Sequence, residues 1–170
     1  MDKEVGMDSL KKSMKKFQGA LQAGYVQQAY RELRKFFSSL RKRFQNTYPE
    51  YSISNLYYGY MDMTYFAVVD AFLKARQLKI AIVFDYDSFS FEVWLSGVNR
   101  GIQKNYWKIF KGKTWGEYAL CDNPTKEDYI LKNILAKEPG FSDSERLGDQ
   151  IEEGTIDFLK NVQAFLNVPA

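Results

Sequence analysis

The chain has 170 residues, 45% hydrophobic and 26% charged, with 24 Lys and Arg against 21 Asp and Glu and a formal net charge of +3. A chain near this length withdraws roughly 70% of its unfolded surface from water, so it supports a core without disulfides or a structural metal. It contains no histidine, which excludes Ser-His-Asp and Cys-His catalysis, His-ligated metal and His-based pH switching within the chain.

The single Cys121 makes neither an internal disulfide nor a zinc site, and reads as a buried, inert thiol of a reducing compartment. Residues 1–12 carry no apolar signal region, and no 18 apolar residues run together, so the expectation is a cytoplasmic protein with no membrane partner. The charge is uneven: residues 1–50 hold 11 basic and 5 acidic groups, 51–120 hold 8 and 6, and 121–170 hold 5 and 10. Such a gradient steers an anionic partner to one end, or lets the two ends attract within the fold or between subunits.

Residues 7–22 read as a first helix, capped by Asp8 or Ser9, with Leu10, Met14, Phe17 and Leu21 on one stripe and Gly24 as punctuation. The strongest helical period follows over 25–45, on Val26, Ala29, Tyr30, Leu33, Phe36, Phe37, Leu40 and Phe44. Its opposite face carries Arg31, Arg34, Lys35, Arg41 and Lys42, and Pro49 closes the segment. Residues 52–66 cluster aromatics and Met without helical period, which predicts one long strand or two bent around Gly59.

A short helix or wide turn is expected over 71–76. Residues 78–84, apolar apart from Lys79, predict a strand covered on both faces. Residues 89–96 alternate, with Phe89, Phe91, Val93 and Leu95 on one side and Ser90, Glu92, Trp94 and Ser96 on the other. The link 85–88 is short enough to join the two as an antiparallel hairpin. Asn99 is a cap for a helix through Phe110, and a brief strand is expected over 117–121. Asn123-Pro124 reads as another helix start, continued by Tyr129, Ile130, Ile134 and Leu135 to Pro139-Gly140. Ser142 and Glu145 form a capping-box pattern for a last helix reaching Leu166. With no repeats or linkers, residues 1–170 are expected to be one domain.

Asp62 and Glu92 are carboxylates in strand-like surroundings, where an unpaired charge is costly and finds a cation or shifts its pKa. A structural reading pairs Glu92 with Arg100 or Arg76 and lets Asp62 accept local hydrogen bonds. A functional reading makes them the polar floor of a pocket walled by Tyr58, Tyr60 and Trp94, with Asn99 and Arg100 at its rim. It requires Tyr58, Tyr60 and Asp62 to share a face by period two. The order helix, strand, strand, strand, helix, strand also matches restriction-nuclease-like folds, with Asp85 or Asp87 and then Glu92 as metal carboxylates. Trp94 stands where such a site needs lysine, so that active site is not intact; no catalytic or metal-ligating residue and no cofactor is assigned. The basic helices, with Lys11, Lys12, Lys15 and Lys16, offer phosphate contacts to a nucleic acid, a reading less favoured than a solvated face.

The segments NLYYGYMDMTYF from Asn55, LKIAIVFDYDSFSFEVWLSGVNR from Leu78, NYWKIF from Asn105, and FSD with the later IEEGTIDFL resemble a family of uncharacterised bacterial proteins, a domain of unknown function, over almost the whole chain. The resemblance implies a bacterial, cytoplasmic, single-domain protein and carries over no reaction, cofactor or catalytic residue. The expectation is therefore an α+β fold: a mainly antiparallel sheet of three to five strands packed with N-terminal and C-terminal helices. Its expected function is non-catalytic binding of a small molecule or protein partner through the face bearing Tyr58, Tyr60, Asp62, Glu92, Trp94, Asn99 and Arg100. The alternatives are a metal-dependent nuclease-like enzyme and a nucleic-acid binder.

Overall fold

The computed structural model describes residues 2–167, with side chains from residue 9 onward. In chain order it contains α1 (Asp2–Gln22), α2 (Tyr25–Thr47), β1 (Ser52–Ile53), β2 (Tyr57–Tyr58), β3 (Met63–Val69) and α3 (Ala71–Ala75). There follow β4 (Leu78–Asp85), β5 (Ser90–Gly97), α4 (Arg100–Phe110), β6 (Ala119–Leu120), β7 (Leu131–Lys137) and α5 (Ser144–Asn167). The described residues fall into two compact units, divided between Ser39 and Leu40.

In the first unit α1 begins at Asp2, so Asp8 and Ser9 lie inside the helix and do not cap it. It ends where Gly24 takes φ +81° and donates its amide to the Leu21 carbonyl, a left-handed stop that only glycine adopts without cost. Residues 9–19 are exposed, whereas Leu33, Phe36 and Phe37 on α2 are buried, as their spacing predicts.

The second unit is built on one seven-stranded sheet in the order β1-β3-β4-β5-β7-β6, with β2 also pairing with β3, and every pair is antiparallel. The count exceeds the expected three to five because β1, β2 and β6 contribute two residues each. The restriction-nuclease-like element order is met only loosely, since α3 interrupts the run of three strands. Register sorts side chains onto two faces. Tyr65 pairs with Val83 and Val83 with Glu92, while Phe66 pairs with Ile82 and Ile82 with Val93. Phe66, Ile82, Phe84, Phe91, Val93 and Leu95 are all essentially inaccessible. That face meets the last turns of α2 through the edge-on contact of Phe44 with Phe66 at 5.7 Å. α5 packs on β5 and β7, closely enough that a Cβ on Gly154 would fall 2.7 Å from Leu135.

The link between β4 and β5 makes the expected hairpin, but Phe89 belongs to its turn. Its φ is +49° and its ring stands 5.1 Å from Phe84, so the alternating strand starts at Ser90. The expected helix over 123–138 is not formed. Residues 131–137 are β7, inserted between β5 and β6. Ile130, Leu131, Ile134 and Leu135 satisfy a helical period, yet the open edge of β5 offers a row of backbone groups whose pairing outweighs local preference. A bulge opposite Phe91 and Glu92 leaves Leu135 and Ala136 both buried. α5 is capped by Asp143, whose Oδ1 accepts the Arg146 amide at 3.0 Å, and not by Ser142.

Candidate functional site: a cleft on the second sheet face

The face opposite α5 carries a cleft of about 420 Å³. Its sheet residues come from alternate positions of three neighbouring strands: Met63 and Tyr65 on β3, Lys79, Ala81 and Val83 on β4, and Trp94 and Ser96 on β5. The small and medium side chains Ala81 and Val83 lie between larger rings, which is what leaves a depression. Ala81, Val83 and Trp94 form a compact apolar cluster beneath half-buried Met63, Tyr65 and Tyr129. Tyr57 comes into the wall because the β2–β3 hairpin pairs it with Tyr65, ring centroids 5.0 Å apart.

The turn that closes this hairpin depends on Gly59. A Cβ there would collide with the Asp62 carboxylate and lie 2.6 Å from the Met63 carbonyl oxygen. Asp62 Oδ1 accepts the Met63 amide at 2.7 Å, and its carbonyl accepts the Tyr86 amide at 3.0 Å. At the opposite end the cleft is bounded by Gly97, Asn99, Arg100 and Gln103 at the start of α4. Asn99 caps this helix as expected, its Oδ1 accepting the Ile102 amide at 2.9 Å. Arg100 pairs with Asp128 at 2.6 Å and also donates to the Glu127 carbonyl. Gln103, buried, donates to the carbonyls of Pro124 at 3.1 Å and Glu127 at 2.6 Å. Together they fasten the 122–128 loop against α4.

Behind the Trp94 wall lies a polar network around Glu92, which is 1% exposed. Its carboxylate accepts Trp94 Nε1–H at 2.6 Å, Lys132 Nζ at 3.0 and 3.3 Å and the Ser90 hydroxyl at 3.2 Å. Neither Arg100 nor Arg76 is the partner: Arg100 is held by Asp128, and Arg76 lies over the Phe72 ring at 3.5 Å. Lys132 stands opposite Trp94 on β7, a placement invisible while that segment is read as helix. Tyr129 packs on Trp94 at 5.3 Å and lies under Lys132 Nζ at 5.1 Å. Burial, then its hydrogen bond to Glu127, raises the Tyr129 phenol well above its usual range. That same bond, with the amides of Asp122 and Asn123, holds the Glu127 carboxyl below its usual value.

Of the residues singled out by sequence, Asp62, Trp94, Asn99 and Arg100 line the cleft and Glu92 lies behind its wall. Tyr58 and Tyr60 do not line it. Residues 59–62 are a turn and not strand, so the period-two argument fails there, and Tyr60 is 97% exposed. Tyr57, Tyr65, Lys79, Ser96, Gln103 and Asp128 were missed. Lys79, the one charge inside the apolar run 78–84, was a visible signal for its site. Among the described residues it has no carboxylate partner, its ammonium standing 5.8 Å from the Tyr65 ring centre.

Of the carboxylates considered for a nuclease centre, Asp85 and Glu92 each lie beside a serine hydroxyl. Ser88 Oγ lies 2.7 Å from both Asp85 Oδ2 and Ser90 Oγ, and Ser90 donates on to Glu92. No three Asp, Glu or Cys side chains among the described residues are grouped to hold a metal ion. Part of the basic face of α2 has internal partners: Lys35 pairs with Glu32, and Arg41 donates to the Ser54 carbonyl and Asn55. Cys121 is buried and its thiol pushed up to about 11, chiefly by burial. No described helix is long and apolar enough to cross a membrane.

No curated protein and no solved structure matches the chain. The family described as Domain of unknown function (DUF7000) matches residues 10–166, nearly the whole length. The chain therefore belongs to the DUF7000 family, whose match spans both the helical N-terminal unit and the sheet that carries the cleft.

Proposed function

We propose that the protein binds a small molecule, without transforming it, in the cleft on the second face of the sheet. The observation that carries this reading is the combination of a volume of about 420 Å³ with rings on two sides and one unmatched cation. Sites for small ligands occupy roughly 300–1,000 Å³ and combine an apolar lining with a few placed polar groups. Tyr57, Tyr65 and Trp94 supply flat apolar area; Lys79 supplies a half-buried charge with no carboxylate partner among the described residues. The matching ligand has a planar or apolar body and an anionic group directed at Lys79, with Ser96 and Asn99 beside it. Glu92 is a supporting group in this reading: by holding Trp94 Nε1–H it orients the ring that faces the ligand.

Ligand-observed NMR with a panel of small aromatic carboxylates tests the proposal. The expected result is a subset that binds the native chain and loses about tenfold or more in affinity with Lys79→Met, the scale of a charge-assisted hydrogen bond. Tyr65→Ala should weaken the same compounds. Binders whose affinity is unchanged in both variants, or no binder at all, would refute the cleft as the site.

A further inference from the structure

Three chain reversals meet at one end of the sheet, the end opposite the start of α4. The 59–62 turn touches the 86–89 turn through the Tyr86 amide, which donates to the Asp62 carbonyl at 3.0 Å. The 86–89 turn touches the segment after β7 through the Glu138 amide, which donates to the Phe89 carbonyl at 3.1 Å. Because β3, β4, β5 and β7 are consecutive in the sheet, these reversals form one rim, about 15 Å long at the usual strand spacing.

Each reversal places a side chain where the backbone favours glycine. Met61, Phe89 and Glu138 have φ of +61°, +49° and +44°, a conformation that crowds the Cβ of any other residue against the main chain. Two of the three are large and apolar, and both stay about half exposed, Met61 at 47% and Phe89 at 51%. Core packing accounts for part of this: Phe89 and half-buried Tyr86 each stand edge-on to Phe84 at 5.1 Å and roof the aromatic core. That role does not extend to Tyr60, which is almost wholly exposed, and glycine or asparagine at position 61 would make the turn with less strain. Strained backbone that holds apolar side chains out in water is expected where something binds.

The charges on the rim identify the kind of partner. Asp62, Asp85, Asp87 and Glu138 stand against Lys137 alone, and none of these forms an ion pair among the described residues. That excess repels an anionic lipid surface or a nucleic acid and attracts a basic chain, whose ammonium or guanidinium groups also gain from the faces of exposed rings. We propose that this rim docks a short, extended, basic segment of a partner protein. Its Lys or Arg side chains meet the carboxylates and the Tyr60 ring, and an apolar side chain packs on Met61 and Phe89. At about 3.3 Å per residue, the rim spans roughly four or five residues of such a segment. The surface is distinct from the small-molecule cleft, which of these residues is lined by Asp62 alone.

An array of random hexapeptides probed with the full chain is the test. Retained peptides should be rich in Lys and Arg beside an apolar residue, and their signal should fall as salt rises. Tyr60→Ser should lower their affinity about fivefold or more, the smallest loss that marks an anchoring side chain. The charge variant Asp87→Asn, Glu138→Gln should weaken the same peptides and flatten the salt dependence. Met61→Asn separates binding from folding: asparagine tolerates the left-handed turn, so Tm should hold or rise while affinity falls. Lys79→Met, in the cleft, should leave capture in place. No enrichment of basic peptides, binders indifferent to both the Tyr60 and the charge variants, or a Met61→Asn chain that loses Tm and keeps its affinity would overturn the proposal. So would attachment to phosphatidylserine vesicles through Tyr60, which assigns the rim to lipid, or loss of the peptides with Lys79→Met, which places them in the cleft.

Discussion

Replacing Lys132 by methionine removes the one cation that, among the described residues, pairs with a carboxylate that has almost no contact with water. Glu92 is 1% exposed and keeps the Trp94 indole and the Ser90 hydroxyl as donors, but both are neutral. Breaking a buried pair by deleting one member costs about 3–5 kcal/mol, because the remaining charge is stranded. Lys132 is 25% exposed, so water partly screens the pair and the lower end applies, about 3 kcal/mol. For a chain of this size roughly 2–4 °C of Tm is lost per kcal/mol, which makes the expected fall about 6–12 °C. Glu92→Met should cost less, since the lysine it releases is already partly solvated and reaches water by rotating its stem. The double variant should be more stable than the sum of the two losses by about 2 kcal/mol, as pairs inside one network are not additive. Urea unfolding of the four proteins, followed by Trp fluorescence and circular dichroism, measures all these quantities. A Lys132→Met loss under about 0.5 kcal/mol, or strict additivity, would show that the pair does not hold this face of the sheet.

Two further outcomes follow from other parts of the site. Glu127 has its folded pKa held below the ordinary 4.5, first by the Tyr129 hydroxyl and also by the Asp122 and Asn123 amides. Its stabilising contribution is thus complete above that ordinary value and is lost as pH falls through the folded value. Glu127→Gln should cost about 1–2 kcal/mol near neutral pH and much less in acid, compared by urea midpoints at the two conditions; equal losses would contradict the assignment. Gly97→Ala places a Cβ 2.5 Å from the Gln103 amide nitrogen and 3.0 Å from the Asn99 carbonyl oxygen, both backbone atoms. Because neither can swing aside, a loss of about 1–3 kcal/mol is expected by thermal unfolding, and an unchanged Tm would mean that α4 starts farther from β5 than described.

The elements whose signals are local were legible before any coordinates. The period of Leu33, Phe36, Phe37, Leu40 and Phe44 identifies α2 and its buried side, and Asn99 caps α4. The β4–β5 hairpin follows from two apolar runs and a short link. Trp94 and Glu92 were correctly placed on one side of their strand because alternation is a property of a strand alone. The turn at 59–62 defeated the same argument one strand earlier. Aromatic composition favours a strand there, whereas Met61 at φ +61° and the close approach of Gly59 to Asp62 make a reversal. Tyr57 thereby replaces Tyr58 and Tyr60 as the ring in the cleft wall.

By itself the sequence excluded histidine chemistry, set the helical periods and the apolar stripe on α1, and placed an isolated lysine within an apolar strand. The tertiary structure alone decided that residues 131–137 pair with β5, that Lys132 consequently meets Glu92, and that the carboxylate lies behind the cleft instead of lining it. The physical reason is that strand pairing is a contract between distant segments. A slip of one residue exchanges every side chain between faces, and nothing in a stretch of seven residues records which edge it will meet.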